Sequence, residues 1–251
     1  MENLTRDFFL GGGLALWQPR QGFRAGVDAV FLAAAAPARP GDSVLELGCG
    51  VGTASLCLGR RVAGLTLTGV EIQPAYAALA RRNAEENGVA LEVVEGDLAH
   101  LPPSVKQRHF SHVIANPPYF RRDRSLAAPD AGRETALGEA MPLSQWVETA
   151  ARRLAHKGRL TMIQRAERVP EMLSALDGRL GSVELLPLSP RAGRRAKLVL
   201  LRAVKGGRAP FALLPPVVLH EGTEHGSDAE DYRPEIAAVL RRAAAFPWPE
   251  S

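Results

Sequence analysis

From residue 42 onward, short runs of β-forming apolar residues alternate with segments whose apolar residues recur at helical spacing. Parallel strands need a crossover connection that is usually a helix, so this alternation predicts a parallel sheet covered by helices on both faces. The predicted strands are residues 43–47, 65–72, 91–94, 110–115, 160–163, 183–188 and 198–204. The predicted helices are residues 53–61, 74–86, 143–156 and 235–245. We therefore predict an α/β fold whose mostly parallel sheet has roughly seven strands.

Two segments flank this alternating region. Residues 1–40 contain the sequence FFLGGGLALW, which predicts a hairpin, followed by an apolar helix. Residues 207–251 are rich in proline before the short final helix. Because each flank is too short to form its own core, we predict three regions. These are a hairpin and helix packed on the core at 1–40, the α/β domain at 41–206, and a C-terminal tail at 207–251.

The composition sets limits on compartment and partners. The net charge of +4 and the pI near 9.4 permit a polyanionic partner without requiring one. The two cysteines, Cys49 and Cys57, form no CxxC pair and no histidine cluster at zinc spacing, so we expect reduced thiols and no metal site. No stretch reaches the roughly 18 apolar residues of a membrane-spanning helix, and the N-terminus lacks the features of a secretory signal. We therefore expect a cytoplasmic protein and leave its oligomeric state open.

A glycine-rich turn with the sequence ELGCGVG begins at Glu46, after the first core strand. Its glycines permit a tight turn and let a ligand approach the backbone. The spacing does not fit the dinucleotide fingerprint, because Thr53 stands where the third glycine, counted from Gly48, is required. The carboxylate of Glu46 would repel a pyrophosphate and attract a sulfonium compound that carries an ammonium group. The turn therefore indicates S-adenosylmethionine.

Two further acidic residues lie at the carboxyl ends of the next two strands, Glu71 within the end of the second strand and Asp97 after the third. Glu71 lies 19 residues beyond Gly52, where a carboxylate can accept hydrogen bonds from ribose hydroxyls. Asp97 follows the third strand, where it can contact an adenine. With the glycine turn, these residues resemble the cofactor site of class I S-adenosylmethionine-dependent methyltransferases over residues 41–206. The resemblance implies a Rossmann-like fold and a cofactor site formed by Asp28, Glu46, Gly48, Cys49, Gly50, Gly52, Glu71, Ile72, Asp97, Leu98 and Asn116.

The sequence Asn116-Pro117-Pro118-Tyr119, here called the NPPY turn, follows the fourth strand. A planar amino nitrogen is a poor nucleophile, so two fixed acceptors for its N–H groups assist its attack on a methyl group. The Asn116 side chain supplies one acceptor oxygen, and the Pro117 carbonyl supplies the other because no local N–H is expected to compete for it. Tyr119 supplies a stacking face. This turn resembles that of amino-group methyltransferases, which act on adenine N6, glutamine amides or guanine N2, and implies catalytic roles for Asn116, Pro117 and Tyr119.

The N-terminal segment narrows the substrate class. Residues 18–30, QPRQGFRAGVDAV, resemble the segment before the catalytic core in the bacterial tRNA(Val) adenine-N6 methyltransferase family. This resemblance implies a tRNA partner, methylation of an unpaired adenine near the anticodon, and a role for Asp28 in closing the cofactor site. We predict that Arg121, Arg122 and Arg124, which follow the NPPY turn, contact RNA phosphates at the mouth of the site.

Three other functions remain open. The first is methylation of a release-factor glutamine, although such enzymes usually carry a helical N-terminal domain where this chain has a predicted hairpin. The second is methylation of guanine N2 in RNA, which belongs to the same amino-group class. The third is that of a non-catalytic protein that binds RNA or senses the cofactor, which would not need the amine acceptors of the NPPY turn.

Two residues near the predicted site are expected to be structural. His112 lies shortly before the NPPY turn, where related proteins often carry an aspartate, and a strand histidine usually has a structural partner. Trp146 lies on the apolar stripe of a predicted helix, which indicates the core.

Overall fold

The computed structural model describes residues 3–121, 138–139, 141–222 and 231–249, with the backbone alone at residues 120, 121, 138 and 139. Within these ranges the chain forms thirteen strands, namely β1 (Leu4–Phe9), β2 (Leu14–Pro19), β3 (Ser43–Leu47), β4 (Thr66–Glu71), β5 (Leu91–Glu95), β6 (Phe110–Ala115), β7 (Phe120–Arg121), β8 (Gly138–Glu139), β9 (Leu154–Arg165), β10 (Gly181–Ser189), β11 (Leu198–Val204), β12 (Ala212–Leu213) and β13 (Val217–Val218). The same ranges contain seven α-helices, namely α1 (Val27–Ala35), α2 (Thr53–Arg61), α3 (Pro74–Glu86), α4 (Pro103–Lys106), α5 (Leu143–Arg153), α6 (Val169–Leu176) and α7 (Pro234–Arg242).

Nine strands form the central sheet, in the order β12-β10-β11-β9-β6-β3-β4-β5, with β13 also pairing with β10. The strands β9, β6, β3, β4 and β5 are parallel to their neighbours in this series, whereas β11 runs antiparallel to β9 and β10. The sheet confirms the predicted α/β fold. All seven predicted strands are present, and the two-residue strands β12 and β13 add to them beside β10.

The boundary between α5 and β9 differs from the prediction. The helix predicted to extend to residue 156 ends at Arg153, and β9 begins at Leu154, which pairs with Phe110. The strand then bulges outward, with Lys157 at a φ of +61°. A Cβ atom at Gly158 would lie 3.0 Å from the Phe110 carbonyl oxygen, so glycine permits the close approach of the two strands at this bulge. The helices α4 and α6 were not predicted, because each is too short to show a helical period.

Helices cover both faces of the sheet, as predicted. One apolar layer contains side chains of α1, α2 and α7, and the other contains side chains of α5 and α6. Successive residues of β11 alternate between the layers, with Leu200 in the first and Val199 and Leu201 in the second. Trp146 is buried in the second layer, which confirms its predicted core position. Cys49 and Cys57 are both buried and unbonded to each other.

The N-terminal segment forms the predicted hairpin, in which β1 and β2 pair antiparallel from Leu4 opposite Pro19 to Phe9 opposite Leu14. Its strand β2 packs on α3. The buried side chains of Leu14 and Leu16 join the same apolar layer as α1. In the part of the chain that the structure describes, no helix has both the length and the apolar character needed to cross a membrane.

Candidate active site

A cavity of about 550 Å³ opens at the carboxyl ends of the parallel strands. The chain passes from β3 outward to β4 and β5 and then returns to β6 on the other side of β3, so this edge is a topological switch point, where open α/β sheets bind ligands. The volume lies within the range of about 300–1,000 Å³ that is typical of small-molecule sites. The predicted residues that line it are Asp28, Gly48, Gly50, Glu71, Ile72, Asp97, Leu98, Asn116, Pro117 and Tyr119.

The glycine turn forms one wall of the cavity with its backbone. Gly48 has a φ of +64°, and a Cβ atom there would lie 2.7 Å from the indole ring of Trp146. Gly50 also has a positive φ, of +54°, and lines the cavity. Gly52 lies at the start of α2, and Cys49 packs against Gly69 of β4, so neither lines the cavity wall. The turn thus presents a wall without side chains, as predicted.

Glu46 lies beneath the turn and does not line the cavity. Its Oε2 atom accepts hydrogen bonds from the Ser55 backbone N–H, at 2.9 Å, and from the Ser55 hydroxyl, at 2.5 Å. Ser55 is the third residue of α2, whose N–H has no partner within the helix, so Glu46 caps this helix. Burial raises the pKa of the Glu46 carboxyl to about 7. Direct contact between Glu46 and a ligand stays a prediction.

Glu71 connects the end of β4 to the glycine turn. Its Oε2 atom accepts a hydrogen bond from the Gly50 N–H at 2.9 Å, and its Oε1 atom accepts one from the Gln73 N–H at 2.9 Å. Burial raises the pKa of this carboxyl, and the backbone hydrogen bonds oppose that rise. Since each carboxylate oxygen can accept more than one hydrogen bond, Glu71 retains capacity for ligand hydroxyls.

Asp97 lies at the outer rim of the cavity, after β5. Its carboxylate accepts a hydrogen bond from the Ala99 N–H at 2.9 Å and contacts the His100 ring at 3.1 Å. These contacts hold the pKa of Asp97 below its ordinary value. The neighbouring rim is apolar, because Leu98 and the exposed side chain of Ile72 also line the cavity.

The NPPY turn lies beside the glycine turn, because the strands that precede them are paired up to Leu47 and Ala115, and its residues Asn116, Pro117 and Tyr119 line the cavity. The Pro117 carbonyl has one hydrogen-bond donor, which comes from a distant strand and not from the turn itself. Gln164, at the end of β9, donates a hydrogen bond from Nε2 to this oxygen at 3.2 Å. A carbonyl oxygen has two lone pairs, so one remains for a substrate N–H. No sequence pattern indicated Gln164, because its role depends on the pairing of β6 with β9.

Tyr119 links the NPPY turn to the N-terminal segment. Its hydroxyl donates a hydrogen bond to the carboxylate of Asp28, at the start of α1. The guanidinium carbon of Arg165 lies 5.4 Å from the centre of the Tyr119 ring, within the range of a cation–π contact. Burial raises the pKa of both Tyr119 and Asp28. The tyrosine ring is therefore held at its hydroxyl end and on one face.

Tyr76 and Phe23 belong to the cavity wall although their sequence context did not indicate it. The Phe23 N–H donates to the Tyr76 hydroxyl at 2.9 Å, and that hydroxyl donates to the Phe23 carbonyl at 3.2 Å. These two hydrogen bonds attach the segment before α1 to α3 at the cavity wall. Trp146 lines the cavity as well as the core, although its place on an apolar helical stripe indicated only the core.

The structure does not test the predicted contacts with RNA phosphates. Arg122 and Arg124 lie outside the described residues, and the side chain of Arg121 is not described. The His112 Nε2 atom lies 3.1 Å from the Oδ2 atom of Asp42. Because Asp42 directly precedes β3, this contact lies at the end of the strand that is away from the cavity. Burial lowers the pKa of His112. Its predicted structural role is confirmed.

Comparison with known proteins identifies the family. The family model described as methyltransferase small domain matches residues 25–187. A tRNA1(Val) (adenine(37)-N6)-methyltransferase from Porphyromonas gingivalis is 32% identical over 187 residues, which are 70% of this chain and 72% of that protein. A protein of the same name from Actinobacillus succinogenes is 31% identical over 191 residues, 74% of this chain and 78% of that protein.

A solved structure supports the same conclusion for the fold. The chain is similar to a predicted O-methyltransferase from Agrobacterium tumefaciens, protein Atu636, with a TM-score of 0.70 and 27% identity over 87% of this chain and 98% of that chain. The family match includes the glycine turn, Glu71 and the NPPY turn, all of which surround one cavity. The chain is therefore a methyltransferase of the methyltransferase small domain family and, within it, belongs to the family of the bacterial tRNA1(Val) (adenine(37)-N6)-methyltransferases.

Proposed function

We propose that this enzyme transfers the methyl group of S-adenosylmethionine to the N6 atom of an adenine in tRNA near the anticodon. One observation carries the proposal: the acceptors of the NPPY turn line the same cavity as Glu71 and the glycine turn. A methyl donor and a planar amine can therefore occupy one enclosed volume. The names of the relatives from Porphyromonas gingivalis and Actinobacillus succinogenes supply the substrate class.

The cavity fits S-adenosylmethionine in its chemistry. The bare backbone at Gly48 and Gly50 leaves room for the methionine end, and Glu71 offers acceptor oxygens for the two ribose hydroxyls. The apolar rim at Ile72 and Leu98, next to Asp97, suits an adenine ring with an exocyclic amine. Glu46 supplies negative charge beneath the turn when its carboxyl is ionised, and Cys49 and Gly52 support the backbone of the same turn. When bound, the cofactor supplies an electrophilic methyl group on a sulfonium sulfur.

The residues of the NPPY turn orient the target amine. In this proposal the Asn116 side-chain oxygen and the second lone pair of the Pro117 carbonyl accept the two N–H groups, and the Tyr119 ring stacks on the base. Alignment of two reacting groups can supply about 7–11 kcal/mol of the barrier in favourable cases. The nitrogen loses its proton to water after it becomes acidic on methylation, so no side chain needs to act as a general base.

Outside the cavity, Arg121, Arg122 and Arg124 are proposed to bind phosphates that flank the target base. Asp28 is proposed to close the cofactor site through its contact with Tyr119. The three-region division at residues 40/41 and 206/207 stays a prediction, and a cytoplasmic location is the one that suits an enzyme acting on tRNA.

The test is incubation of the protein with labelled S-adenosylmethionine and unmodified tRNA, followed by digestion and mass spectrometry. We expect N6-methyladenosine. Methylated ribose would indicate transfer to oxygen, as the description of the Agrobacterium protein suggests for that protein, and would overturn the proposal. Detection of methylguanine, or of N5-methylglutamine in a parallel reaction with release factor, would support the proposed role of the amine acceptors and would show that the substrate is not adenine.

Substitution of Asn116 tests the proposed amine acceptor. Asn116→Ala removes its side-chain oxygen, so we expect a loss of about 100-fold or more in kcat, the scale found when one oriented polar group is removed from an active site. Binding of S-adenosylhomocysteine, measured by calorimetry, should remain close to that of the wild type. Turnover near the wild-type value would show that Asn116 is structural.

A further inference from the structure

We propose that Gln164 and Arg168 are positioning residues that hold the two proline carbonyls of the NPPY turn and thereby aim Asn116 and Pro117 at the target amine. This inference rests on the proposed function, since it concerns the same amine acceptors. It assigns a catalytic consequence to two buried polar side chains that lie outside the sequence motifs.

The sheet register places Gln164 beside Pro117. Strands β6 and β9 are parallel, and their pairing extends to Ala115 opposite Met162. Two residues farther along, Pro117 is level with Gln164. Because neither proline of the turn has an N–H, their backbone cannot donate a hydrogen bond to the neighbouring strand. Gln164 instead holds the turn by donating from its side chain to the Pro117 carbonyl, at 3.2 Å.

The Gln164 amide has one orientation that satisfies its surroundings. Its Oε1 atom accepts a hydrogen bond from the Arg165 N–H at 2.9 Å, so its Nε2 atom must face the proline carbonyls. The side chain is fully buried, and an unpaired amide group there would lose its hydrogen bonds to water without compensation. The hydrogen bond from the Arg165 N–H therefore fixes the direction in which the Gln164 side chain donates.

Arg168 holds the second carbonyl of the turn. Its Nη1 atom donates to the Pro118 carbonyl at 3.0 Å. The same guanidinium is paired with both carboxylate oxygens of Glu171, each at 2.9 Å from Nη2. Arg168 is only 5% exposed, so its position is fixed by packing as well as by this ion pair. Two donors from one neighbouring segment thus converge on two successive carbonyls.

This arrangement determines how the Pro117 oxygen can serve the reaction. With one lone pair occupied by Gln164, the other lies in a fixed direction and can accept one substrate N–H. If Gln164 did not donate, the carbonyl would be free to rotate with the turn, and the Asn116 side chain would shift with it. A misplacement of about 1 Å at a reacting centre costs on the order of 100-fold in rate.

Two substitutions of Gln164 separate its two hydrogen bonds. Gln164→Glu is assayed at pH 8, where the Arg168 guanidinium, which binds the same turn, also favours an ionised carboxylate. The carboxylate keeps an acceptor for the Arg165 N–H and loses the donor to Pro117. Gln164→Met keeps the approximate volume and loses both. We expect kcat to fall about 100-fold in both variants, while KM for tRNA and the Kd for S-adenosylhomocysteine remain near those of the wild type. Gln107→Glu, at an exposed position on the other side of β6, is the matched control and should leave kcat unchanged.

The outcomes are distinguishable from one another. A Gln164→Glu variant with wild-type kcat would show that the contact with Arg165 is the important one and would overturn the proposal. A fall in S-adenosylhomocysteine affinity or thermal stability that matches the fall in kcat would also overturn it, since that pattern indicates a purely structural role. If the wild-type enzyme methylates a protein glutamine rather than tRNA, the proposed substrate fails, and the same variants test the positioning role on that amide.

Discussion

Gly48 is the residue at which backbone conformation, core packing and the cavity wall meet. It occupies the left-handed region that favours glycine, and the Trp146 ring lies where its side chain would project. A residue that lines the cavity is therefore also packed against the core. Substitution at this position should change both stability and ligand binding, and a second glycine allows the two causes to be separated.

We predict that Gly48→Ala destabilises the protein more than Gly88→Ala does. Both glycines have nearly the same φ, +64° and +63°, so both substitutions carry the cost of about 1–2 kcal/mol for a left-handed alanine. Only Gly48 adds a steric clash, because a Cβ atom at Gly88 meets nothing within 4 Å. Urea unfolding should show an additional loss of about 1–3 kcal/mol for Gly48→Ala, with weakened binding of S-adenosylhomocysteine. Equal losses in both variants would contradict a clash with Trp146.

At the residue scale, the sequence predicted those site residues that directly follow strands. Glu71 and Asn116 could be placed because parallel strands end at one edge, so a motif after a strand lies at that edge. Gln164 and Tyr76 could not, since one depends on strand register and the other on packing of α3 against the N-terminal segment. Glu46 shows the converse case: its motif position was evident, but its capping of α2 required the three-dimensional structure.

The hairpin and α3 are joined by hydrogen bonds from side chains to the backbone of β2, at the strand edge where a neighbouring strand could pair. Asn83 lies in the last turn of α3, Asn87 caps the end of that helix four residues later, and both side chains face β2. Asn87 accepts from the Ala15 N–H and donates to the Ala15 carbonyl, and Asn83 does the same with Trp17. The outer edge of β2 is thereby hydrogen bonded without a third strand. Both elements were predicted from sequence, but hydrophobic period cannot reveal contacts made by polar side chains.

We predict that Asn83→Ala is more damaging to stability than Asn87→Ala. Asn83 is fully buried and also donates to the Val51 carbonyl of the glycine turn at 3.0 Å, so its removal leaves one buried and two partly buried backbone groups without this partner. We expect a loss of about 1–3 kcal/mol for each unsatisfied group, measured by urea unfolding. Asn3→Ala, at an exposed position of the same N-terminal segment, should have little effect. A larger effect at Asn87 would refute this account of the contact.

At the scale of the whole molecule, three carboxyl groups with raised pKa lie in or close to one cavity wall: two line the cavity, and Glu46 lies beneath its glycine turn. Burial raises the pKa of Asp28, Glu46 and Glu71, which come from the N-terminal segment, β3 and β4. The fold therefore concentrates groups that are costly to ionise at the place where it binds ligands, a pattern typical of functional sites. A cationic ligand would offset that cost, so ligand binding and proton release should be coupled in this protein.

The Glu46→Gln variant tests, in the free protein, the raised pKa on which this coupling depends. The pKa of Glu46 is about 7 in the folded state, against an ordinary value of 4.5. At pH values between these two, the folded protein therefore binds more protons than the unfolded chain does. Its contribution to stability is therefore fully present below about pH 4.5 and is lost as pH rises through 7. Glutamine keeps an acceptor for Ser55 and does not titrate. The stability of the variant relative to wild type should thus rise between pH 5 and pH 8, by at most about 3 kcal/mol.

Urea unfolding of both proteins at several pH values measures that difference. The contributions of Asp28 and Glu71 are present in both proteins and cancel to a first approximation, so the remaining slope reports Glu46. Glu85→Gln, which makes the same chemical change on the exposed face of α3, should run parallel to the wild type. A Glu46→Gln curve that also runs parallel would mean that Glu46 is already ionised in the free protein. Its negative charge would then be present before any cationic ligand binds, and binding would release no proton from this site.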